Sequence, residues 1–312
     1  MIAVVCLNPA LDITYQVPAV DWAGVNRPSA VHARPGGKGL NVARTLRALG
    51  ADVLVLGLAG GVTGTAVESA LAEAGVPAAF TRIGGETRRT VTVVDGRSGS
   101  VTAFNEPGPR AAPEEFTELA VRYEKELGGC AAVVLSGSLP PGLPATSYAR
   151  LIETAAAAGV PAVLDAHGDA LRAGAAARPA IVKPNLAELA GLAGHPLAGR
   201  AAVASAAREL RDTGPAAVVA TLGADGLLAV TEDGTWMAAP PAAVAGNATG
   251  AGDAVAAGLA HGLAAGLPWD ERLRRAVALG TAAAAAPVAG EFRPADYERV
   301  LAGVSVRRGA AG

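Results

Sequence analysis

Short apolar runs rich in Val, Ile and Leu alternate along the chain with longer segments in which apolar residues recur at helical spacing. The apolar runs predict buried strands over residues 2–7, 53–58, 132–136, 162–165, 181–183, 217–221 and 227–230. The segments between them predict helices over residues 40–49, 65–74, 113–127, 145–158, 185–192 and 201–212. Because strands that alternate with helices pair in parallel and carry helices on both faces, the pattern predicts an α/β fold with a central, mainly parallel sheet. After Gly250 the pattern is purely helical.

Two segments interrupt this alternation. Residues 8–34 alternate apolar side chains without a helix, and residues 80–108 contain two strand-like runs, 90–94 and 101–104, joined by a turn. We interpret both segments as excursions from a single domain of residues 1–312 that together form a small β-sheet, the lid.

One face of so small a sheet should be apolar, because successive side chains of a strand point to opposite faces. The candidates for this face are Ile13, Tyr15, Val91 and Val93. An exposed apolar face is typical of a partner surface, so we expect a homodimer that forms through the lid.

Composition narrows the class of protein. Of the 312 residues, 51% are hydrophobic, which provides for a large core. The net charge of −2 and the aromatic content of 4% argue against a nucleic-acid partner. No apolar stretch reaches about 18 residues, so no membrane span is expected. Cys6 and Cys130 lack metal or redox spacing and the start of the chain lacks a basic segment, so we expect a reduced, cytoplasmic protein.

The segment Gly250, Ala251, Gly252 and Asp253 precedes an Ala-rich helical run. Glycines allow the backbone to approach a ligand closely, and the free N–H groups at a helix N-terminus bind anions. An aspartate among these amides is placed to take a proton from a hydroxyl that attacks a phosphate. The segment is thus compatible with phosphoryl transfer, but these four residues alone favour the ordinary interpretation of Asp253 as a helix N-cap. The other motifs along the chain change that balance.

A second glycine-rich segment, residues 35–41, also opens a helix. Lys38 could hold a phosphate as a point charge and Asn41 could bind sugar hydroxyls, or the segment is a turn with a solvated lysine. Arg88 and Arg89 stand at the edge of the second excursion, where an arginine fork suits a phosphate. Surface salt bridges are the alternative for these two arginines.

Asn185 and Glu188 follow a buried strand and share one helix face. Such a pair can hold a hydrated Mg²⁺, and the same spacing is typical of an N-cap Asn with a capping-box Glu, so both interpretations stand.

Residues 221–226 either line a nucleotide pocket or form a hairpin turn. Residues 57–64 superficially resemble a dinucleotide-binding loop, but their glycine spacing favours a tight turn. Ser138 follows a buried strand at the sheet edge where α/β folds bind ligands, and it is a poor candidate for a nucleophile.

In their order along the chain, these motifs resemble the phosphofructokinase B family of ribokinase-like sugar kinases. Within that family the chain is most similar to 1-phosphofructokinases and tagatose-6-phosphate kinases. The resemblance covers nearly the whole chain and is carried by residues 8–12, 36–42, 60–64, 85–88, 105–109, 136–140 and 250–253. It implies a central α/β sheet with a β-lid, in agreement with the two excursions.

The resemblance also implies roles for individual residues. Asp253 matches the general base, and the amides of Gly250, Ala251 and Gly252 match the anion hole for the transferring phosphoryl group. By the same resemblance, the positions that contact the sugar are Asp12, Gly37 and Asn41, with Ser138 as a further candidate, and those that hold its phosphate are Lys38 and Arg88. The positions that organise Mg²⁺ through water are Asn185 and Glu188. Those on the nucleotide side are Lys183, Thr221, Gly223 and Gly226, with Asn185.

Three positions depart from the family pattern. Thr249 stands where many relatives have valine, His167 where a small polar residue is more usual, and Ala103 where glutamate is frequent. None of these departures removes a catalytic group, but they bear on which sugar phosphate fits.

We therefore expect an ATP- and Mg²⁺-dependent kinase that converts fructose 1-phosphate to fructose 1,6-bisphosphate. Tagatose 6-phosphate and fructose 6-phosphate are the alternative substrates. A catalytically idle sugar-phosphate sensor on the same fold is the competing class of function. A nicotinamide-dependent oxidoreductase is a weaker alternative, since it depends on residues 57–64 alone.

Overall fold

A large sheet of buried apolar strands forms the centre of the computed structural model, which describes residues 1–242, 244, 249–286 and 291–309. In spatial order its strands are β14 (Ser305–Arg308), β13 (Gly234–Ala239), β12 (Leu227–Thr231), β11 (Ala217–Thr221), β10 (Ile181–Val182), β9 (Ala162–Asp165), β8 (Ala132–Ser136), β1 (Ile2–Cys6), β4 (Val53–Ala59) and β5 (Ala78–Arg82). The strands from β11 to β5 in this order run parallel, whereas β12, β13 and β14 join by antiparallel pairing. The predicted α/β fold with a mainly parallel sheet is therefore confirmed.

Helices cover both faces of the large sheet, because its central strands alternate apolar side chains between two cores. In β1, for example, Val4 packs into one core and Val5 into the other. The core that contains Val4 is covered by α1 (Lys38–Ala48), α2 (Gly61–Glu73), α8 (Ala251–Ala264), α9 (Trp269–Ala284) and α10 (Pro294–Gly303). The core that contains Val5 is covered by α3 (Pro113–Glu126), α4 (Ser147–Ala157), α5 (Gly168–Ala176), α6 (Leu186–Ala193) and α7 (Gly199–Asp212).

The expectation of a purely helical pattern after Gly250 is wrong at the end of the chain. There β14 pairs with β13 at the edge of the large sheet. The strand is four residues long and basic, and only Val306 packs against the core. Its pairing comes from the neighbouring strand, so its own sequence carries little strand pattern.

Four further strands form a separate small sheet with the order β3 (Ala30–Gly36), β2 (Ala10–Val17), β6 (Arg88–Asp95) and β7 (Val101–Asn105). The pairing of β2 with β6 sets Ile13 opposite Val91 and Tyr15 opposite Val93. These four side chains therefore share one face, as predicted.

The opposite face of the small sheet is polar at its root. On this face Asp12 lies opposite Thr90 in β6 and opposite Arg34 in β3. Ala103 in β7 pairs with Thr92 and so belongs to the same face. The two faces thus separate apolar side chains from those predicted to contact a ligand.

The predicted bounds of the second excursion need one correction. Residues 80–82 belong to β5, which pairs with β4 in the large sheet. Phe80 and Thr81 are buried there, because β5 packs on the core rather than on the small sheet. The excursion leaves the large sheet only after Arg82. Among the described helices, none is both long and apolar enough to cross a membrane.

Candidate active site

Polar residues end four neighbouring strands of the large sheet, where apolar side chains would otherwise continue the core. They are Ser136 in β8, Asp165 in β9, Lys183 directly after β10 and Thr221 in β11. Because the carboxyl ends of parallel strands meet at one edge of a sheet, these side chains lie side by side. Ser136 and Asp165 are direct partners in the strand register.

Two helices begin above this polar row. Helix α1 starts at Lys38 after Gly37, whose φ of 95° belongs to the left-handed region that favours glycine. Helix α8 starts at Ala251 after Gly250, which has a φ of 82°. Asp253 therefore lies in the first turn of α8 and is not the N-cap, so the competing N-cap interpretation is wrong.

Asp253 is buried, and its Oδ2 accepts a hydrogen bond of 2.8 Å from Nδ2 of Asn41. Burial, and next to it the negative charge of Asp165, raises the pKa of Asp253 to about 6. The hydrogen bond from Asn41 and the nearby lysine ammoniums oppose this rise. A carboxyl group with a pKa close to the operating pH is suited to general-base catalysis.

Two lysines and two carboxylates form an ionic chain beside Asp253. Nζ of Lys38 lies 3.3 Å from Oδ1 of Asp165 and 3.5 Å from Oε1 of Glu188. Nζ of Lys183 lies 3.3 Å from Oδ2 of Asp165. Burial opposes the charge of Lys38, but these carboxylates outweigh it and the pKa of Lys38 is raised.

Asp12 and Arg88 lie at the root of the small sheet, on its polar face. Burial raises the pKa of Asp12, while the neighbouring guanidinium groups of Arg34, Arg88 and Arg44 act against the rise. Arg88 donates from Nε to the carbonyl of Asn8, at 3.2 Å, and from Nη1 to that of Glu106, at 3.4 Å.

The structure separates the two arginines that the sequence left equivalent. Arg89 forms an exposed salt bridge of 3.1 Å with Glu106, which is the alternative interpretation. Arg88 instead occupies the face that carries Asp12.

The model of the pfkB family of carbohydrate kinases matches residues 5–295, which include every residue of this arrangement. The chain belongs to this family. A 1-phosphofructokinase of Rhodobacter capsulatus is 40% identical over 283 residues, covering 90% of each chain. A 1-phosphofructokinase of Bacillus subtilis is 32% identical, covering 91% of this chain and 92% of its own. Phosphofructokinase-2 of Escherichia coli, solved in complex with potassium, superposes with a TM-score of 0.92 at 32% identity, covering 97% and 98%.

Membership in the pfkB family confirms the interpretation as a carbohydrate kinase. The oxidoreductase alternative loses its basis, because residues 57–64 are the end of β4, the tight connection at Gly60 and the first turn of α2, held by structural contacts. The N–H of Gly60 donates to Oγ1 of Thr87, and a Cβ on Gly60 would lie 2.2 Å from the carbonyl oxygen of Gly85.

The capping-box interpretation of Asn185 and Glu188 in this kinase is confirmed. Oδ1 of Asn185 accepts from the N–H of Glu188, and Oε2 of Glu188 accepts from the N–H of Asn185, both at 2.8 Å. Because Glu188 also reaches Lys38, the box ties the start of α6 to the ionic chain.

On the predicted nucleotide side, Thr221 ends β11, and Gly223 and Gly226 lie in the connection from β11 to the antiparallel β12, which confirms the hairpin. Gly226 has a φ of 87°, and a Cβ there would lie 2.1 Å from the carbonyl oxygen of Ala238. Thr221 bridges to Asn185, so this turn adjoins the capping box. Contact of these residues with a nucleotide stays a prediction.

Ser138 is held by a residue whose role the sequence did not indicate. Nδ2 of Asn8 donates to Oγ of Ser138 and to the carbonyl of Pro107, both at 3.0 Å. Asn8 thereby links the start of the first excursion to the end of the second. Its signals in the sequence were its place directly after a buried strand and its membership of the segment 8–12 that carries the family resemblance.

Asp165 was predicted only as the end of a strand. A charged residue at the end of a fully buried run is a signal for a functional position, but the sequence does not show that two lysines meet it.

Of the departures from the family pattern, His167 is the exposed N-cap of α5 and Thr249 directly precedes the left-handed Gly250.

The raised pKa of Asp253 predicts an acidic limb in the pH profile. Below pH 6 the carboxyl group carries a proton and cannot accept another, so kcat/KM should rise as pH increases through about 6. Initial rates at limiting sugar phosphate, measured between about pH 5 and 8, report this ionisation in the free enzyme. A profile that stays level across that range would contradict the prediction.

Proposed function

We propose that this chain transfers the γ-phosphoryl group of ATP to the C6 hydroxyl of fructose 1-phosphate, giving fructose 1,6-bisphosphate and ADP. The observation that carries the proposal is Asp253, a buried carboxyl group with a raised pKa in the first turn of α8. The choice of sugar phosphate rests on the curated relatives, which are 1-phosphofructokinases.

Such transfer depends on positioning and on charge stabilisation rather than on covalent chemistry. Asp253 takes the proton of the attacking hydroxyl, and Asn41 holds its carboxylate in place through Oδ2. The amides of Gly250, Ala251 and Gly252 at the N-terminus of α8 stabilise the charge that develops on the transferring group.

At the sugar end, Asp12, Gly37 and Asn41 bind hydroxyl groups. Arg88 and Lys38 hold the phosphate already on the sugar. The polar face of the small sheet supports this role, because it presents Asp12 with guanidinium groups beside it. The sugar then spans from the root of the small sheet to Asp253.

At the nucleotide end, Lys183 and the turn with Thr221, Gly223 and Gly226 contact ATP. Glu188 and Asn185 suit a hydrated Mg²⁺, since part of their oxygen set is already engaged in the capping box and Mg²⁺ keeps several waters. The Glu188 side chain is 13% exposed and its Oε1 already lies 3.5 Å from Nζ of Lys38, so such an ion would bind through water rather than directly. The ion would neutralise phosphate charge during transfer.

The proposed reaction is tested by ADP release from the full chain with fructose 1-phosphate, fructose 6-phosphate and tagatose 6-phosphate. The highest kcat/KM is expected for fructose 1-phosphate. A preference for either of the other two esters would reassign the substrate. Tight binding of a sugar phosphate without ADP release would instead identify a sensor.

We further propose that the small sheet is a lid that closes over the bound sugar. It carries Asp12 and Arg88, and Asn8 ties its two excursions together beneath them. Closure would exclude water, so that the phosphoryl group passes to sugar rather than to hydrolysis.

Hydrogen exchange tests the lid. Saturating fructose 1-phosphate should increase protection of the backbone amides in β2, β3, β6 and β7, with less change at the distant edge strand β14. Equal protection of the small sheet with and without sugar phosphate would show that it does not close.

The apolar face of the lid supports a homodimer through two small sheets. On this face Val31 pairs with Tyr15 and Phe104 pairs with Val91. The side chain of Val31 is 57% exposed and that of Phe104 is 52% exposed. The double variant Val31→Asp/Phe104→Asp should shift the sedimentation coefficient from dimer to monomer, because buried unpaired carboxylates are costly. Val121→Asp on α3, an exposed apolar position outside the lid, should leave it unchanged. A wild-type chain that sediments as a monomer would contradict the proposal.

A further inference from the structure

Asp165 occupies a position that the proposed chemistry does not use directly. Its side chain is fully buried, yet each carboxylate oxygen lies 3.3 Å from a different lysine Nζ, Oδ1 from that of Lys38 and Oδ2 from that of Lys183. A buried charge is retained only with close partners, because desolvation of an unpaired carboxylate is expensive. One carboxylate here fixes two cations.

The two lysines reach Asp165 from different parts of the chain. Lys38 is the first residue of α1, three positions before the Asn41 that holds Asp253. Lys183 follows β10, and its Nζ lies 3.6 Å from the position that a Cβ on Gly252 would occupy. Lys38 is therefore on the side of the centre where the sugar phosphate is proposed to bind. Lys183 is next to the backbone of the proposed anion hole.

We propose that Asp165 is a positioning residue that sets the spacing between Lys38 and Lys183, and thereby aligns the phosphate groups of sugar phosphate and ATP for transfer. This inference rests on the proposed function. Lysine is a flexible point charge, and a geometry held before binding does not have to be acquired at the moment of reaction. Asp165 touches neither substrate in this scheme and acts through the lysines.

Asp165 also affects Asp253 electrostatically, which supplies a readout that packing alone would not change. Its negative charge raises the pKa of Asp253, whereas the charges of Lys38 and Lys183 lower it. Removing the charge of Asp165 takes away its effect on Asp253 and leaves the charges of both lysines in place, with Glu188 still paired to Lys38.

The other groups around Asp253 would be retained in such a variant. From α1, Asn41 donates to its carboxylate and Arg44 senses its charge, while Glu188 of α6 acts through Lys38. Helix α9 presents the small Gly280 to the first turn of α8. The acidic limb of the pH profile should therefore move to lower pH when Asp165 is neutralised.

The test is Asp165→Asn in the full chain, which keeps the shape of the side chain and removes its charge. We expect the KM for ATP and the KM for fructose 1-phosphate both to rise by about 10-fold, the low end of what a hydrogen bond to a charged group contributes. The acidic limb of kcat/KM should shift to lower pH. Asp169→Asn, an exposed acidic residue in the first turn of α5, is the matched control and should change none of these quantities.

Single variants of the lysines divide the effect. Lys38→Met should raise mainly the KM for fructose 1-phosphate, and Lys183→Met mainly the KM for ATP. In the double variant Asp165→Asn/Lys38→Met, the losses should be less than additive, because the two residues act as one unit. Additive losses, or an Asp165→Asn enzyme with both KM values and its acidic limb unchanged, would overturn the inference.

Two further outcomes are separated by design. If circular dichroism shows that Asp165→Asn does not fold, Asp165→Glu is used instead, because it keeps the charge but displaces it. This variant should raise both KM values and leave the acidic limb in place. Unchanged KM values would overturn the inference. If the wild-type chain phosphorylates no sugar phosphate, the proposed function has failed. Calorimetric titration of Asp165→Asn with ATP then still tests the link to Lys183, with unaltered affinity as the contrary result.

Discussion

Replacing Asp253 by Asn is expected to lower kcat by at least about 100-fold, the low end of what a general base contributes. Asn has nearly the same shape, but its amide cannot accept the proton of the attacking hydroxyl. ATP binding should persist, because the amides before Asp253 and the nucleotide side of the centre are unchanged. Steady-state rates with saturating fructose 1-phosphate and calorimetric titration with ATP measure the two quantities separately.

The matched control for this variant is Asp270→Asn. Asp270 also lies in the first turn of a helix, α9, so its substitution tests helix-terminus electrostatics without touching the centre. Its kcat should stay within about 2-fold of wild type, since surface changes of this kind cost little. A near-normal kcat for Asp253→Asn would remove Asp253 from the role of base.

Loss of Arg88 or Lys38 should raise the KM for the sugar phosphate much more than the KM for ATP. Hydrogen bonds to charged groups contribute about 1.5–3 kcal/mol, so removing one predicts an increase of roughly 10- to 100-fold. Arg88→Ala and Lys38→Met are compared with wild type in steady-state assays in which each substrate is varied in turn.

Arg89→Ala is the control for Arg88→Ala, because it is the adjacent residue and its exposed side chain is paired with Glu106. Exposed ion pairs contribute about 0–1 kcal/mol, so its KM values should change little. Should unphosphorylated fructose serve as efficiently as fructose 1-phosphate, neither Arg88 nor Lys38 binds the substrate's own phosphate.

The centre combines groups that come from distant parts of the chain, and this explains its sensitivity to single changes. The hydrogen bond from Asn41 to Asp253 joins α1 to α8 across 212 positions, and the ion pair from Lys38 to Asp165 joins α1 to β9 across 127. Such contacts require that distant segments of the chain pack together. The arrangement of the candidate active site is therefore a property of the whole fold rather than of any one motif.

The sequence by itself determined the elements whose signal is local. The alternation of apolar runs with helical patterns predicted the mainly parallel sheet. A strand that is buried on both faces needs a continuous apolar run, and this signal lies within the strand itself. The period of two in residues 13–15 and 91–93 predicted the apolar face of the small sheet, which the register of β2 and β6 confirms. The spacing of Asn185 and Glu188 predicted the capping box, which depends on neighbours three positions apart.

Only the tertiary structure decided features that depend on partners far along the chain. Strand β14 exists because β13 offers it an edge, and residues 80–82 join the large sheet because β4 pairs with them. Asp165 bridges two lysines because β9, which ends at Asp165, pairs with β10, which Lys183 follows, and because α1 begins above them. A single sequence specifies which side chains are available, but their distances and the free-energy cost of their charges are set by burial and by long-range pairing.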